Sequence, residues 1–210
     1  MECIESVAKT LTPIKIIVVD NASTDGSADA IRQFWPSVTV IQSKTNEGYA
    51  KACNKGARDG NSPYILFLNS DTLIADNLWL AKMIKTFESD DKIAVVGPKL
   101  VNEKNQLTGC GVVGTNAKPY IRGWLEPNTF ESYNKQTECL SVCGACMMIK
   151  RDNVPVIGLM DEQYPFYFEE TDYCYNARDK GYKVVYTPDT TVVHYHQKSS
   201  KDKESARKWF

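Results

Sequence analysis

The chain has 210 residues, 42% hydrophobic and 24% charged, the balance of one globular domain; disorder and collagen-like structure are excluded. Lys and Arg total 25 against 26 Asp and Glu, so a net charge of −1 gives no electrostatic case for nucleic acid or an anionic membrane as partner. The longest apolar runs, at 16–19 and 65–68, fall far short of the roughly 18–20 residues that span a bilayer, and no secretion signal opens the chain.

Ile4, Val7, Ala8 and Leu11 recur at helical spacing and predict a helix over 2–11, closed by Pro13. Residues 15–19 read as an apolar strand ending at Asp20. A turn-rich stretch follows, in which Asp25 or Ser27 can cap a helix carrying Ile31, Phe34 and Trp35. A second strand at 38–42 leads to a short helix over 48–58 that presents Ala52, Cys53 and Ala57. A third strand, 64–68, ends at Asn69-Ser70-Asp71. A helix over 77–88 with Leu78, Ala81, Ile84 and Phe87 inward precedes a strand at 93–97. Apolar strands separated by helices predict an α/β fold, a Rossmann-like, mostly parallel sheet covered on both faces. Ligands bind such sheets beyond the carboxyl ends of the strands, where Asp20 and Asp71 both fall. Either Asp alone would read as a turn or cap residue.

Beyond residue 98 the pattern changes. Residues 98–138 are rich in Gly, Asn, Thr and aromatics, including Tyr120, Trp124, Phe130 and Tyr133, and predict a small irregular, mobile lobe lining a site. Residues 140–149 read as a buried strand or a closely packed helix. An aromatic run at 164–168 leads into Glu169, Glu170 and Asp172 and a helix to Lys180, stopped by Gly181. Residues 182–187 and 191–194 read as two more strands. With no repeat or linker, one domain is expected over 1–210.

Seven cysteines are an odd number in apolar surroundings, which predicts reduced thiols and a cytosolic protein. Cys139, Cys143 and Cys146 have a spacing that could ligate an iron–sulfur cluster, but Ala145 stands where such a site has an aromatic, and burial is the better reading. Three acidic groups remain: Asp20, Asn69-Ser70-Asp71, and Glu169, Glu170 and Asp172. Asp71 suits a hard divalent cation bridging to a diphosphate, and His194 can complete the coordination or be a satisfied strand histidine. Glu169–Asp172 can simply complement a helix dipole, or, desolvated by the aromatic run, supply a general base.

Five ordered motifs carry a resemblance. They are the segments 16–27 (IIVVDNASTDGS), 46–56 (NEGYAKACNKG), 66–72 (LFLNSDT), 142–149 (VCGACMMI) and 166–174 (FYFEETDYC). Together they resemble family 2 glycosyltransferases of the GT-A fold, especially rhamnosyltransferase-like members that decorate cell-surface polysaccharides. The resemblance implies an inverting, divalent-metal-dependent (Mn2+ or Mg2+) transfer from a UDP- or dTDP-sugar to a saccharide or lipid-linked acceptor. It implies a nucleotide-binding half over 1–97 and an acceptor and catalytic half over 98–210. Asp20, Asn46, Gly48, Lys51, Asn69 and Ser70 would line the nucleotide. Asp71, in the DxD place, and His194 would hold the metal. Gly144, Ala145 and Trp124 would form the acceptor and sugar pocket, and Glu170, with Glu169 and Asp172 beside it, would supply the base. Asn69 and Glu170 stand where the pattern usually has Asp.

The resemblance also implies a first strand ahead of residue 2. The chain is therefore expected to be truncated at both ends, with a helix beginning over 200–210. An apolar gap in the sheet would be filled by rearrangement or by a second copy. A cytoplasmic protein, peripheral at the inner membrane face through its acceptor, is expected. The alternative within the fold is an inert nucleotide-sugar-binding domain. A receiver domain would be shorter. Dehydrogenase and P-loop readings lack their glycine-rich phosphate cradle.

Overall fold

The computed structural model describes residues 1–164 and 166–195. Helix α1 (Glu2–Ala8) precedes a parallel pair, β1 (Ile17–Asp20) and β2 (Thr39–Gln42), joined through α2 (Ser27–Phe34). Helix α3 (Tyr49–Asp59), β3 (Tyr64–Leu68), β4 (Thr72–Ile74), α4 (Trp79–Glu88) and β5 (Ile93–Val101) follow. The lobe contributes β6 (Leu107–Gly109), the hairpin β7 (Val112–Thr115) and β8 (Lys118–Ile121), and β9 (Thr137–Glu138). Strand β10 (Cys146–Lys150), α5 (Val154–Ile157), α6 (Glu169–Asp179) and β11 (Lys183–His194) complete it.

A seven-stranded sheet has the order β3-β10-β5-β11-β4, with β6 on β5 and β9 on β11. Strands β3, β5 and β11 run one way, and β10 runs against its neighbours β3 and β5. The two halves expected from sequence therefore share one sheet, since β3 pairs with β10 and β5 with β11. Among the described residues, β1 and β2 form a separate sheet, and β1 pairs only with β2.

Both faces of the sheet are covered because its central strands are apolar on both sides; every residue of β5 is buried. On one face Val95, Met147, Ile149 and Tyr186 pack with Tyr173 and Ala177 of α6 and Ala50 and Ala57 of α3. On the other, Val96, Leu100, Met148 and Val192 pack with Trp79, Met83 and Phe87 of α4 and Val7 of α1. Each large side chain so buried contributes about 1.5–3 kcal/mol.

Packing corrects several boundaries and faces. Helix α1 stops at Ala8 and leaves Leu11 exposed; Phe34 of α2 is exposed too. Helix α4 is rotated from its expected face: Trp79, Leu80, Met83 and Phe87 are buried, while Leu78 and Ala81 are exposed. Apolar residues fill more than one stripe of this helix, and packing against β5 and β11 selects the stripe with Trp79, Met83 and Phe87. Strand β5 runs through Pro98 to Val101, and the two expected C-terminal strands are one, β11, with a register shift between Thr187 and Thr191. Pro188 in that interval lacks the N–H a regular ladder needs. The lobe is less irregular than expected, with a hairpin and two short strands. Residues 140–149 resolve into strand β10 and the turn before it. All seven cysteines are free. Among the described residues no helix is long and apolar enough to cross a membrane, and the helix expected over 200–210 lies outside them.

Candidate active site

Strand β1 ends on Asp20, which is buried because it closes a strand covered by α3. Its Oδ1 accepts the Ser23 N–H at 3.0 Å, and its Oδ2 is buried with no hydrogen-bond partner. A buried carboxylate oxygen without a donor favours a ligand N–H. Beside it, Asn21 donates Nδ2 to Asn46 Oδ1 at 2.9 Å and to the Gly48 carbonyl at 3.1 Å, and accepts the Glu47 N–H at 2.9 Å. Gly48, at φ 87°, turns this loop into α3, a conformation that favours glycine. Asn21 thus ties Asn46 and Gly48 to the residue that follows Asp20. Lys51 pairs with Glu47 at 3.3 Å, and Lys55 bonds the same carboxylate. The Lys55 and Ser43 hydrogen bonds hold Glu47 down at about 2.

Strand β3 ends in the second loop. Its Asn69 N–H donates to the Ala145 carbonyl at 3.0 Å, and the Asn69 carbonyl accepts Thr72 Oγ1 at 2.8 Å. Ser70 is exposed. Asp71 follows, and the Tyr195 N–H donates to its carbonyl at 2.9 Å. The pairing of β4 with β11 sets His194 opposite Thr72 and brings His194 Nε2 to 3.3 Å from Asp71 Oδ1, both side chains less than a tenth exposed. One carboxylate and one imidazole fit Mn2+ or Mg2+, which take few protein ligands and complete their shell with phosphate oxygens and water. Among the described residues no group of three or more His, Cys, Asp or Glu that could hold a metal ion gathers, and Asp71 and His194 stand as a pair.

The third part is the start of α6. Tyr167 and Phe168 both have left-handed φ, 69° and 71°, a strained approach of the kind found at functional sites. Of the three acids in the first turn, Asp172 accepts a hydrogen bond from Tyr164 at 3.2 Å. Glu169 is buried, its Oε2 has no hydrogen-bond partner, and burial first, with Glu170 adding, raises its pKa to about 7. Glu170 is half-buried against Gly144, where a Cβ would stand 3.2 Å from its own Cβ and Cγ. Burial raises the Glu170 pKa, against backbone N–H groups including that of Gly144, which favour the carboxylate. In the aromatic run ahead of these acids, Phe166 and Phe168 are about half exposed.

The strip 143–145 joins the parts. Tyr49, at the start of α3, donates its hydroxyl to the Gly144 carbonyl at 2.9 Å. Ala145 ties the Asn69 loop, and Cys143 feels both Glu170 and Asp71, although burial does most to push its thiol up to about 11. Two expectations change. Ala145 is a buried core residue that contributes its carbonyl, not a pocket floor, because its side chain faces the α4 side of the sheet. Trp124 lines a cleft of the lobe with Arg122 and Tyr133, and Gly144 and Ala145 are not among that cleft's lining. Asn21 and Tyr49 escaped the sequence reading. Both lie inside quoted motifs, 16–27 and 46–56, which were the available signal.

The fold resembles that of the crystallised GalNAc-T7 with UDP, GalNAc and Mn2+, with a TM-score of 0.71 at 20% identity over 92% of this chain and 40% of that one. An O-antigen biosynthesis protein, RfbC, of Myxococcus xanthus is 24% identical over 92% of this chain, which spans only 16% of that relative. An N-acetylglucosaminyl-diphospho-decaprenol L-rhamnosyltransferase of Mycobacterium tuberculosis is 24% identical over 91% of this chain and 69% of its own length. The fold is thus the expected GT-A fold. With residues 1–157 matching the model of glycosyl transferase family 2, the chain belongs to that family.

Proposed function

We propose that the chain is a metal-dependent inverting glycosyltransferase, moving a sugar from a UDP- or dTDP-sugar to a saccharide or lipid-linked acceptor in cell-surface polysaccharide synthesis. The observation that supports this reading is the strip 143–145, whose Ala145 carbonyl accepts the N–H of Asn69 in the Asp71 loop and whose Gly144 packs against Glu170. Residues 1–97 bind the nucleotide, with Asp20 Oδ2 accepting a base N–H beside Asn46, Gly48 and Lys51, and Asn69 and Ser70 near the diphosphate. Asp71 and His194 would hold the metal, which would supply charge neutralisation for the diphosphate leaving group. Within 98–210, Glu170 takes the proton of the acceptor hydroxyl as that oxygen bonds to the anomeric carbon and the nucleoside diphosphate leaves. Gly144 leaves room for this carboxylate. One base suffices, unlike the paired carboxylates of glycosidases. The relatives' printed names support a polysaccharide or lipid-linked acceptor. The reading extends to a cytoplasmic protein, peripheral at the inner membrane face and able to self-associate.

The test is Mn2+-dependent turnover of UDP- and dTDP-sugars, with donor binding measured separately. Glu170→Gln is expected to lower turnover roughly 10²–10⁴-fold while donor binding persists. Full activity in that variant would move the base to Glu169 or Asp172. Donor binding with no turnover in the unsubstituted chain favours a nucleotide-sugar-binding module instead.

A further inference from the structure

The strip before β10 carries a pattern that the transfer chemistry does not use, the dithiol Cys143-Gly144-Ala145-Cys146. Residues 144 and 145 form a turn closed by the Cys146 N–H, which donates to the Cys143 carbonyl at 3.3 Å. Such a turn holds its outer Cα atoms within about 7 Å, and a disulfide needs about 4.4–6.8 Å between the same atoms. The side chains agree with the backbone. Cys143 packs against the cluster on the α4 side of the sheet in which Cys146 is buried, and both thiols are free.

Exposure gives the two thiols different parts. Cys143 is partly exposed, whereas Cys146, opposite Leu68 of β3, is fully buried. A reagent therefore reaches Cys143 first, and Cys146 is placed to resolve the product. Of the other partly exposed cysteines, Cys3 lies on α1 with its thiol 3.5 Å from Thr72 Oγ1, and Cys53 lies on α3 beside Tyr49. Neither is joined to a second cysteine by a turn. Burial pushes the Cys143 thiol up to about 11. About one thiol in a thousand is then ionised at pH 8, which makes its reaction slow.

The same turn is where the parts of the site meet. The Gly144 carbonyl accepts the Tyr49 hydroxyl, the Ala145 carbonyl accepts the Asn69 N–H, and Glu170 packs on Gly144. Both carbonyls belong to residues inside the ring that a disulfide would close. We propose that Cys143 and Cys146 are a modification site for low-molecular-weight disulfides, whose oxidation to a disulfide disables the transfer site. The Cys143 thiol gives its proton to water and attacks one sulfur of the small disulfide. One small thiolate leaves and takes up a proton, and a mixed disulfide remains on Cys143. Cys146 then gives its proton to water, attacks the Cys143 sulfur and expels the second small thiolate. Two protein thiols are oxidised as one small disulfide is reduced to two thiols. Closing the S–S bond to about 2.05 Å draws the ends of the turn together and shifts Gly144 against Glu170 and Ala145 against Asn69. The loss of turnover rests on the transferase reading; the thiol chemistry does not.

The test incubates reduced protein with oxidised glutathione at pH 8, blocks the remaining thiols with iodoacetamide and maps the tryptic peptide 136–150, which holds Cys139, Cys143 and Cys146. After oxidation that peptide is expected to carry one blocking group, on Cys139, and after dithiothreitol three. Turnover is expected to fall about tenfold or more on oxidation and to return with dithiothreitol. Cys146→Ala is expected to stop at the glutathione mixed disulfide on Cys143. Three blocking groups after oxidation overturn the proposal, as does glutathione retained on Cys143 in the unsubstituted chain. A single blocking group on Cys143 or Cys146 overturns it too, since the bridge would then lie elsewhere. A 143–146 bridge that leaves turnover unchanged overturns the regulatory half. If Cys146→Ala does not fold, the peptide map of the unsubstituted chain decides alone. Reduced protein that turns over no UDP- or dTDP-sugar would instead sink the transferase reading and leave the peptide map standing.

Discussion

Glu169 and Glu170 are consecutive and chemically identical, yet the helix turns them to different surroundings. Glu169 enters the interior beside Tyr49 and Cys53, and its carboxylate helps to push the Cys53 thiol up, although burial is the larger cause. Glu170 faces Gly144, with backbone N–H groups that favour its charged form. Ionising Glu169 near pH 7 therefore costs the folded state. Its folded pKa lies above the unfolded one, so its stabilising share is present below about 4.5 and is lost as pH rises through about 7. Glu169→Gln is expected to flatten the stability–pH curve over that window by of order 1 kcal/mol after solvent screening, measured as Tm against pH. An unchanged slope would place the titrating group elsewhere. For Glu170, the raised pKa carries a different expectation: kcat/KM falls on the acid side with an apparent pKa above the usual glutamate value, because a base must be ionised to accept a proton.

At the scale of elements, the strip before β10 and the start of α6 fit only because residue 144 has no side chain. A methyl there would stand 3.2 Å from the Glu170 Cβ, so the acid must shift by a few tenths of an ångström. Gly144→Ala is expected to lower kcat roughly tenfold or more with nucleotide affinity kept, since small misplacements of a base are costly. Equal activity would mean that Glu170 tolerates displacement. The strand ends that carry Asp20 and Asp71 were legible from sequence, because an apolar run followed by a polar loop has one meaning in an α/β chain. The inward face of α4 was not. Its apolar residues fill more than one stripe, and which stripe is buried is decided by long-range packing against β5 and β11.

For the whole molecule, the two sheets are unequal in their support. Strand β5 is paired on both edges and buried throughout, whereas among the described residues β1 is paired on one edge, and it is only partly buried. Hydrogen exchange is expected to be slowest in β5 and its neighbour β11, and faster by about an order of magnitude or more in β1 and β2. Uniform protection across both sheets would show that they open as one unit. This bears on function because Asp20 sits at the end of the weaker pair, and a nucleotide bound there is expected to slow exchange in β1 by mass action.

Local chemistry was enough to read the α/β alternation, the strand-end acids, the buried cysteines and the family motifs, since each depends on residue type and short spacing. Those patterns do not contain long-range pairing. Only the tertiary structure brought His194 to Asp71, 123 positions away in sequence, through the pairing of β4 with β11. Only packing separated Glu169 from Glu170, joined Tyr49 to Gly144, and moved Trp124 to a cleft of its own. Burial and hydrogen bonding between distant segments set which side chains meet, and a one-dimensional pattern records neither.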